Sequence, residues 1–172
     1  MIIRQETEKD FQEIYSLVKI AFETAKVSNG KEQDYVNELR AGKNYIPELA
    51  LVAEQDGRII DHIMLTKFYI KTDKNTKEES LLLAPLCVKL EYRNEKIGAA
   101  MINKSFEFAR NMGFKSVFLA GDPNYYYRFG FRQSTDYNIK NTDKIEAKYV
   151  MAFELEKDAL KDISGAVSFF NY

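Results

Sequence analysis

An Asp-Gly pair at positions 56 and 57 stands between two apolar runs, Leu49 to Glu54 and Ile59 to Ile70. Both residues tolerate positive φ, and a two-residue turn of that kind matches the twist of paired antiparallel strands. The pair predicts a hairpin in the middle of the chain, and an antiparallel sheet to which the rest must be fitted. A further apolar run, Leu81-Leu82-Leu83-Ala84-Pro85-Leu86-Cys87-Val88, follows the polar stretch Lys71 to Ser80. That stretch reads as a longer, exposed hairpin connection. Pro85, lacking an amide proton, reads as a point where ladder pairing is interrupted.

Helical spacing surrounds this sheet. After a short strand from Met1 to Gln5, Thr7 and Asp10 form a capping-box pattern. Apolar residues then recur at Phe11, Ile14, Tyr15, Val18, Ala21 and Phe22, the period of an amphipathic helix. Lys31 to Arg40 reads as a second, shorter helix carrying Tyr35, Val36 and Leu39. Ile97, Met101, Phe108 and Met112 mark a third, broadened by Ile102, Phe106 and Ala109, with Gly113 at a left-handed C-cap. Ser116 to Ala120 is a short strand. Gly121-Asp122-Pro123-Asn124 breaks the chain before the aromatic segment Tyr125 to Phe131, and Tyr149 to Glu154 is a late strand. The order β-α-α-β-β-β-α-β-α-β-β is that of an α+β protein. With no repeat or Gly/Ser-rich linker, residues 1–172 read as a single domain.

Composition narrows the class of function. The 172 residues carry 25 basic and 26 acidic side chains, a net charge of −1, without the basic excess of a nucleic-acid binder. No apolar run approaches the roughly 20 residues that span a bilayer. The N-terminus lacks a signal-peptide pattern, so a reducing cytoplasm is the expected compartment. One cysteine and one histidine make neither a disulfide framework nor a zinc site, and no metal is expected.

Chemistry concentrates in Leu86 to Ala99, LCVKLEYRNEKIGA, read as a strand, a charged loop and a helix opening near Ile97. A helix N-terminus leaves backbone amides unpaired and favours anions, phosphate above all. Arg93 and Lys96 add two cations. By spacing alone, a solvated strand-to-helix turn fits equally well.

This loop, together with GDPNYYYRFGF (Gly121 to Phe131), resembles the GNAT superfamily of N-acetyltransferases. The further segments Ala21-Phe22, Glu38-Leu39-Arg40, Pro47 to Glu54 and Leu83 to Val88 resemble one bacterial subgroup of predicted acetyltransferases. Two positions depart from that subgroup: Asp61 precedes His62 where glycine is usual, and Lys96 replaces a loop glycine. The resemblance implies a GNAT-like α+β fold with a central, mostly antiparallel mixed sheet, flanked by helices and splayed where the cofactor enters. It implies transfer of an acetyl group from acetyl-CoA to a primary amine by direct attack in a ternary complex. The alternative is a non-catalytic acyl-CoA binding or sensing module.

Residue roles follow from the same resemblance. The backbone of Leu86, Cys87 and Val88 would pair with the pantetheine arm like an added strand. The amides of Asn94, Glu95, Lys96, Ile97, Gly98 and Ala99 would hold the pyrophosphate, with Arg93 either on a phosphate or a solvated loop charge. Tyr126 aligns with the family's general acid, and a phenol is protonated at neutral pH; the competing reading is a packing aromatic. Cys87 reads as a small core residue before a nucleophile. His62 is either a base or substrate contact, or a structural residue hydrogen-bonded at the sheet. Glu32, Glu48 and Asp61 are candidate bases, with a water relay equally compatible, and Asp122 is a turn acceptor. The expected partner is a small-molecule or peptide amine, without nucleic acid or membrane. The aromatic end Val167 to Tyr172 is open to packing on the body, a homodimer contact or a protein-interaction surface.

Overall fold

The computed structural model describes residues 1–26 and 28–170. It is an α+β fold, a mixed sheet flanked by helices, gathered into two compact units: residues 1–66 with 83–108, and residues 67–82 with those from 109 onward.

In the first unit, β1 (Ile2–Gln5) pairs antiparallel with β2 (Ala50–Gln55), and β2 with β3 (Arg58–Thr72). The β2–β3 hairpin closes at Gln55↔Arg58, with Asp56 and Gly57 at φ 51° and 72°, the left-handed turn that the sequence requires. Thr7 donates its amide and hydroxyl to Asp10 Oδ2, at 2.7 and 2.9 Å. This box opens a single 3₁₀ turn, Glu8–Asp10, ahead of α1 (Phe11–Phe22). The apolar face of α1 buries Ile14, Leu17, Val18 and Ala21, and α2 (Glu32–Ala41) buries Val36 and Leu39. Each such valine, leucine or isoleucine contributes about 1.5–3 kcal/mol on leaving water. Here Ala50 to Ala53 and Ile59 to Thr66 are buried without a polar alternation, because the strands are covered on both faces.

In the second unit, β4 (Lys77–Val88) runs parallel to β5 (Ser116–Ala120) at Leu81↔Val117 and Leu82↔Phe118. Beyond these pairs β4 continues for six residues. β5 pairs antiparallel with β8 (Val150–Glu154), and β8 with β6 (Arg132–Gln133). β9 (Gly165–Val167) pairs with β7 (Ile139–Asn141) and the end of β3. Phe68 anchors this core, its ring 5.7 Å from Phe118 and 5.3 Å from Phe169.

Three expectations are corrected. The polar connection shrinks to Asp73–Thr76, because β3 runs on to Thr72 and β4 starts at Lys77. Helix α3 (Ile97–Asn111) ends before Met112, which is 45% exposed, while Gly113 does take the left-handed torsion, φ 85°. After α4 (Pro123–Tyr126) come four strands instead of two, since β6, β7 and β9 are too short to show a period. Phe169 is buried and Phe170 exposed; Asn171 and Tyr172 of the aromatic end lie outside the described residues.

Candidate active site

From Val88 the chain makes a 3₁₀ turn, Leu90–Tyr92, then the loop Arg93 to Lys96, and enters α3 at Ile97. Asn94 and Lys96 adopt left-handed backbones, φ 69° and 62°. Lysine thus takes the torsion that a glycine adopts freely, at a cost of about 1 kcal/mol. Residues 93–96 are exposed. The amide of Ala100 reaches Lys96 O at 3.1 Å, the first bond of the helix, so the amides of Ile97, Gly98 and Ala99 project from its positive end.

Arg93 leans on α1. Its Nη1 donates to Thr24 Oγ1 and its Nη2 to Ala21 O, both at 2.8 Å, with a longer contact from Nε to Val88 O at 3.5 Å. A guanidinium at a helix C-terminus satisfies carbonyls there and complements the helix dipole. Arg93 therefore ties the loop to α1 in this structure.

Upstream, Leu86 and Val88 are half-buried and Cys87 is buried. Burial, with the carboxyl of Asp61 nearby, pushes the Cys87 thiol well above its ordinary value. A thiol held protonated is a poor nucleophile, which agrees with a small core residue. Asp61 itself is fully buried, and neither carboxylate oxygen has a hydrogen-bond partner. Burial pushes its pKa well above the usual carboxylate range, opposed only in part by the dipole of the nearby His62 amide.

His62 belongs to a buried cluster. Its Nε2 lies 2.8 Å from Glu6 Oε2, and Arg40 grips the same carboxylate through Nε and Nη2 at 2.7 and 2.9 Å. Tyr45 Oη donates to Glu6 Oε1 at 2.9 Å. Burial opposes the charge on Glu6, but the bonds from His62 and Arg40 outweigh it and hold the carboxyl at about 2. Burial depresses His62 despite Glu6, leaving a neutral ring that donates from Nε2. This is the structural histidine of the two readings. Glu6, Arg40 and Tyr45 escaped the sequence reading of the site; the ELR segment pointed to Arg40 but not to its partner.

Asp122, after β5, accepts the Asn124 amide at 3.0 Å and starts α4. In the aromatic segment Tyr126 is half-buried, its ring 5.0 Å from that of Tyr125 and 5.5 Å from that of Phe131. Tyr127 is exposed, with Arg128 stacked on Tyr125 at 4.1 Å. Of the candidate bases, Glu32 accepts the Asn29 amide at 2.8 Å and Glu48 is exposed. Among the described residues no cluster of three or more His, Cys, Asp or Glu could hold a metal ion, and no helix is long and apolar enough to cross a membrane.

Comparison with known proteins gives this geometry a family. Residues 2–134 match the model of the acetyltransferase (GNAT) domain. The uncharacterized N-acetyltransferase YjhQ of Escherichia coli (strain K12) is 34% identical over 109 residues, 63% of this chain. The match spans 60% of that relative's length. Among solved structures, the GNAT family N-acetyltransferase YhbS of Escherichia coli, crystallised with CoA, superposes with a TM-score of 0.85 at 24% identity, over 97% of this chain and 88% of that one. A GNAT family acetyltransferase from Brucella melitensis, in complex with acetyl-CoA, gives 0.72 at 29% identity, over 90% and 88%. With its sheet, its β4-to-α3 loop and a family match over most of its length, the chain belongs to the GNAT acetyltransferases.

Proposed function

We propose that the chain acts as one acyltransferase domain that moves an acetyl group from acetyl-CoA to a primary amine. The observation that carries this reading is the loop from Arg93 to Lys96, with two left-handed residues feeding the amides of Ile97, Gly98 and Ala99 at the start of a 15-residue helix. Such a helix end offers a pyrophosphate several N–H donors at once. The boundaries of the compact units fall inside β3, β4 and α3, not in linkers, which supports a single working domain.

Acetyl-CoA supplies an activated thioester, and the chain's residues bind it and manage protons. The backbone of Leu86, Cys87 and Val88 aligns the pantetheine arm by strand addition. The amides from Asn94 to Ala99 hold the pyrophosphate, and Lys96 keeps its amide there while adding an ammonium. Arg93 fixes this loop against α1. A strand amide polarises the acyl carbonyl, and an amine held beside it attacks directly. Tyr126 gives its phenolic proton to the departing thiolate, and the proton lost by the attacking nitrogen leaves through water, from which the phenolate is reprotonated. The acceptor is a small-molecule or peptide amine.

Isothermal titration with acetyl-CoA tests the reading. Saturable binding by the chain and its loss in Gly98→Glu are expected, because a carboxylate at the helix start repels the pyrophosphate. Absence of binding by the unaltered protein would remove the enzyme reading. Tight binding without acetylation of any amine in a broad panel would leave an acyl-CoA binding module.

A further inference from the structure

Gly121 has no left-handed torsion, so its own backbone does not call for glycine. What calls for it is a ring five residues on. Asp122 caps the turn, Pro123 opens α4, and the amides of Tyr125 and Tyr126 return to Asp122 O at 3.0 and 3.2 Å. The chain thereby folds back and lays the Tyr126 ring on Gly121. A β-carbon at position 121 would stand 2.5 Å from Tyr126 Cε2, 3.0 Å from Cδ2 and 3.1 Å from Leu119 Cδ1. Carbon atoms sit comfortably at about 3.5–4.0 Å, so even a methyl group must move the ring by about an ångström. Retreat is restricted, because the ring also meets Phe131, which is 2% exposed, at an interplanar angle of 71°.

Resting on the reading of Tyr126 as general acid, we propose that Gly121 is a positioning residue for acetyl transfer: its missing side chain seats the Tyr126 ring and so aims the phenolic oxygen. Proton transfer is sensitive to such placement, and a shift of about 1 Å can cost about a hundredfold in rate. Gly121 touches no reacting atom and acts only through the ring.

The test compares Gly121→Ala, Tyr126→Phe and the double variant, with acetyl-CoA and the best acceptor from a panel of primary amines. Gly121→Ala should lower kcat about 10- to 100-fold and leave KM for acetyl-CoA within about twofold. In the Tyr126→Phe background the same change should cost nothing more, since residues acting through one group are not additive. A second cycle needs no turnover: Gly121→Ala should lower the Tm when residue 126 is tyrosine and leave it unchanged in Tyr126→Ala. Unaltered kcat in Gly121→Ala beside a slow Tyr126→Phe overturns the positioning role alone, as do additive losses in the double variant. Unaltered kcat in Tyr126→Phe overturns the acid reading and this inference with it. So does a protein that acetylates no amine. An equal fall in Tm in both backgrounds removes the contact.

Discussion

Glu6 Oε2 and His62 Nε2 lie 2.8 Å apart with neither side chain exposed, although 56 residues separate them in sequence. The pair ties the residue after β1 to the first third of β3, and Arg40 brings α2 to the same carboxylate. A buried charge is tolerated only when paired and hydrogen-bonded. Glu6 has both, in a cluster where Arg40 supplies the compensating cation.

The cluster makes stability fall on acidification. Glu6 has a folded value of about 2 against 4.5 ordinarily. Its contribution is full above 4.5 and lost as pH drops toward 2. His62 is depressed below 6.5, so the unfolded chain takes its proton first and stability begins to fall below about pH 6.5. Urea midpoints of Asp61→Asn, which lacks the opposing titration of that buried carboxyl, should decline from about pH 6.5 down to pH 3. Glu6→Gln should cost about 3–5 kcal/mol at pH 7, because Arg40 is left buried without a counter-charge.

Asp61 should work in the opposite direction. Its folded value is raised above 3.8, so the folded form keeps a proton that the unfolded form has released. The stability contributed below pH 3.8 is lost as pH rises toward the folded value. Asp61→Asn should therefore be more stable than the unaltered protein at pH 8, by about 1–3 kcal/mol. The gap should close near pH 4. Matching denaturation midpoints at the two pH values would refute this.

Lys96→Gly removes a left-handed torsion from a non-glycine residue but adds freedom to the unfolded chain, two terms of about 1 kcal/mol each and opposite sign. The urea midpoint should hardly move. Binding of acetyl-CoA should persist within about threefold and become less sensitive to salt, because the amide stays and the ammonium goes. Loss of binding would show that the lysine side chain, not the backbone, holds the phosphates.

Arg93→Ala should loosen the loop from α1 by removing donors to Ala21 O and Thr24 Oγ1. A cost of about 1–2 kcal/mol is expected in urea, reduced from the full value of charged hydrogen bonds by partial exposure. The affinity for acetyl-CoA should fall more than it does in Lys96→Gly. Equal affinities in both variants would count against a supporting role for Arg93.

Local signals were legible and long-range ones were not. Asp56-Gly57, the stripe of α1 and Gly113 each act within a few residues, so a single sequence displays them. Arg93 finds Thr24 across 69 positions and Glu6 finds His62 across 56; no local pattern announces either. Asp61 sits on a strand buried on both faces, where alternation, the usual sign of which side chains are covered, is missing. Gly121 looked like an ordinary turn glycine because its reason lies in the ring of Tyr126.

Neither compact unit is a continuous piece of chain. The first needs residues 83–108 as well as its opening 66, and the second begins with 16 residues lodged between them. A cut at any boundary would leave half a strand or a shortened helix with raw ends and severed ladders. Fragments of this sequence are therefore poor cassettes for shuffling among relatives. Variation can accumulate here through side chains and loop tips far more readily than through exchange of whole segments.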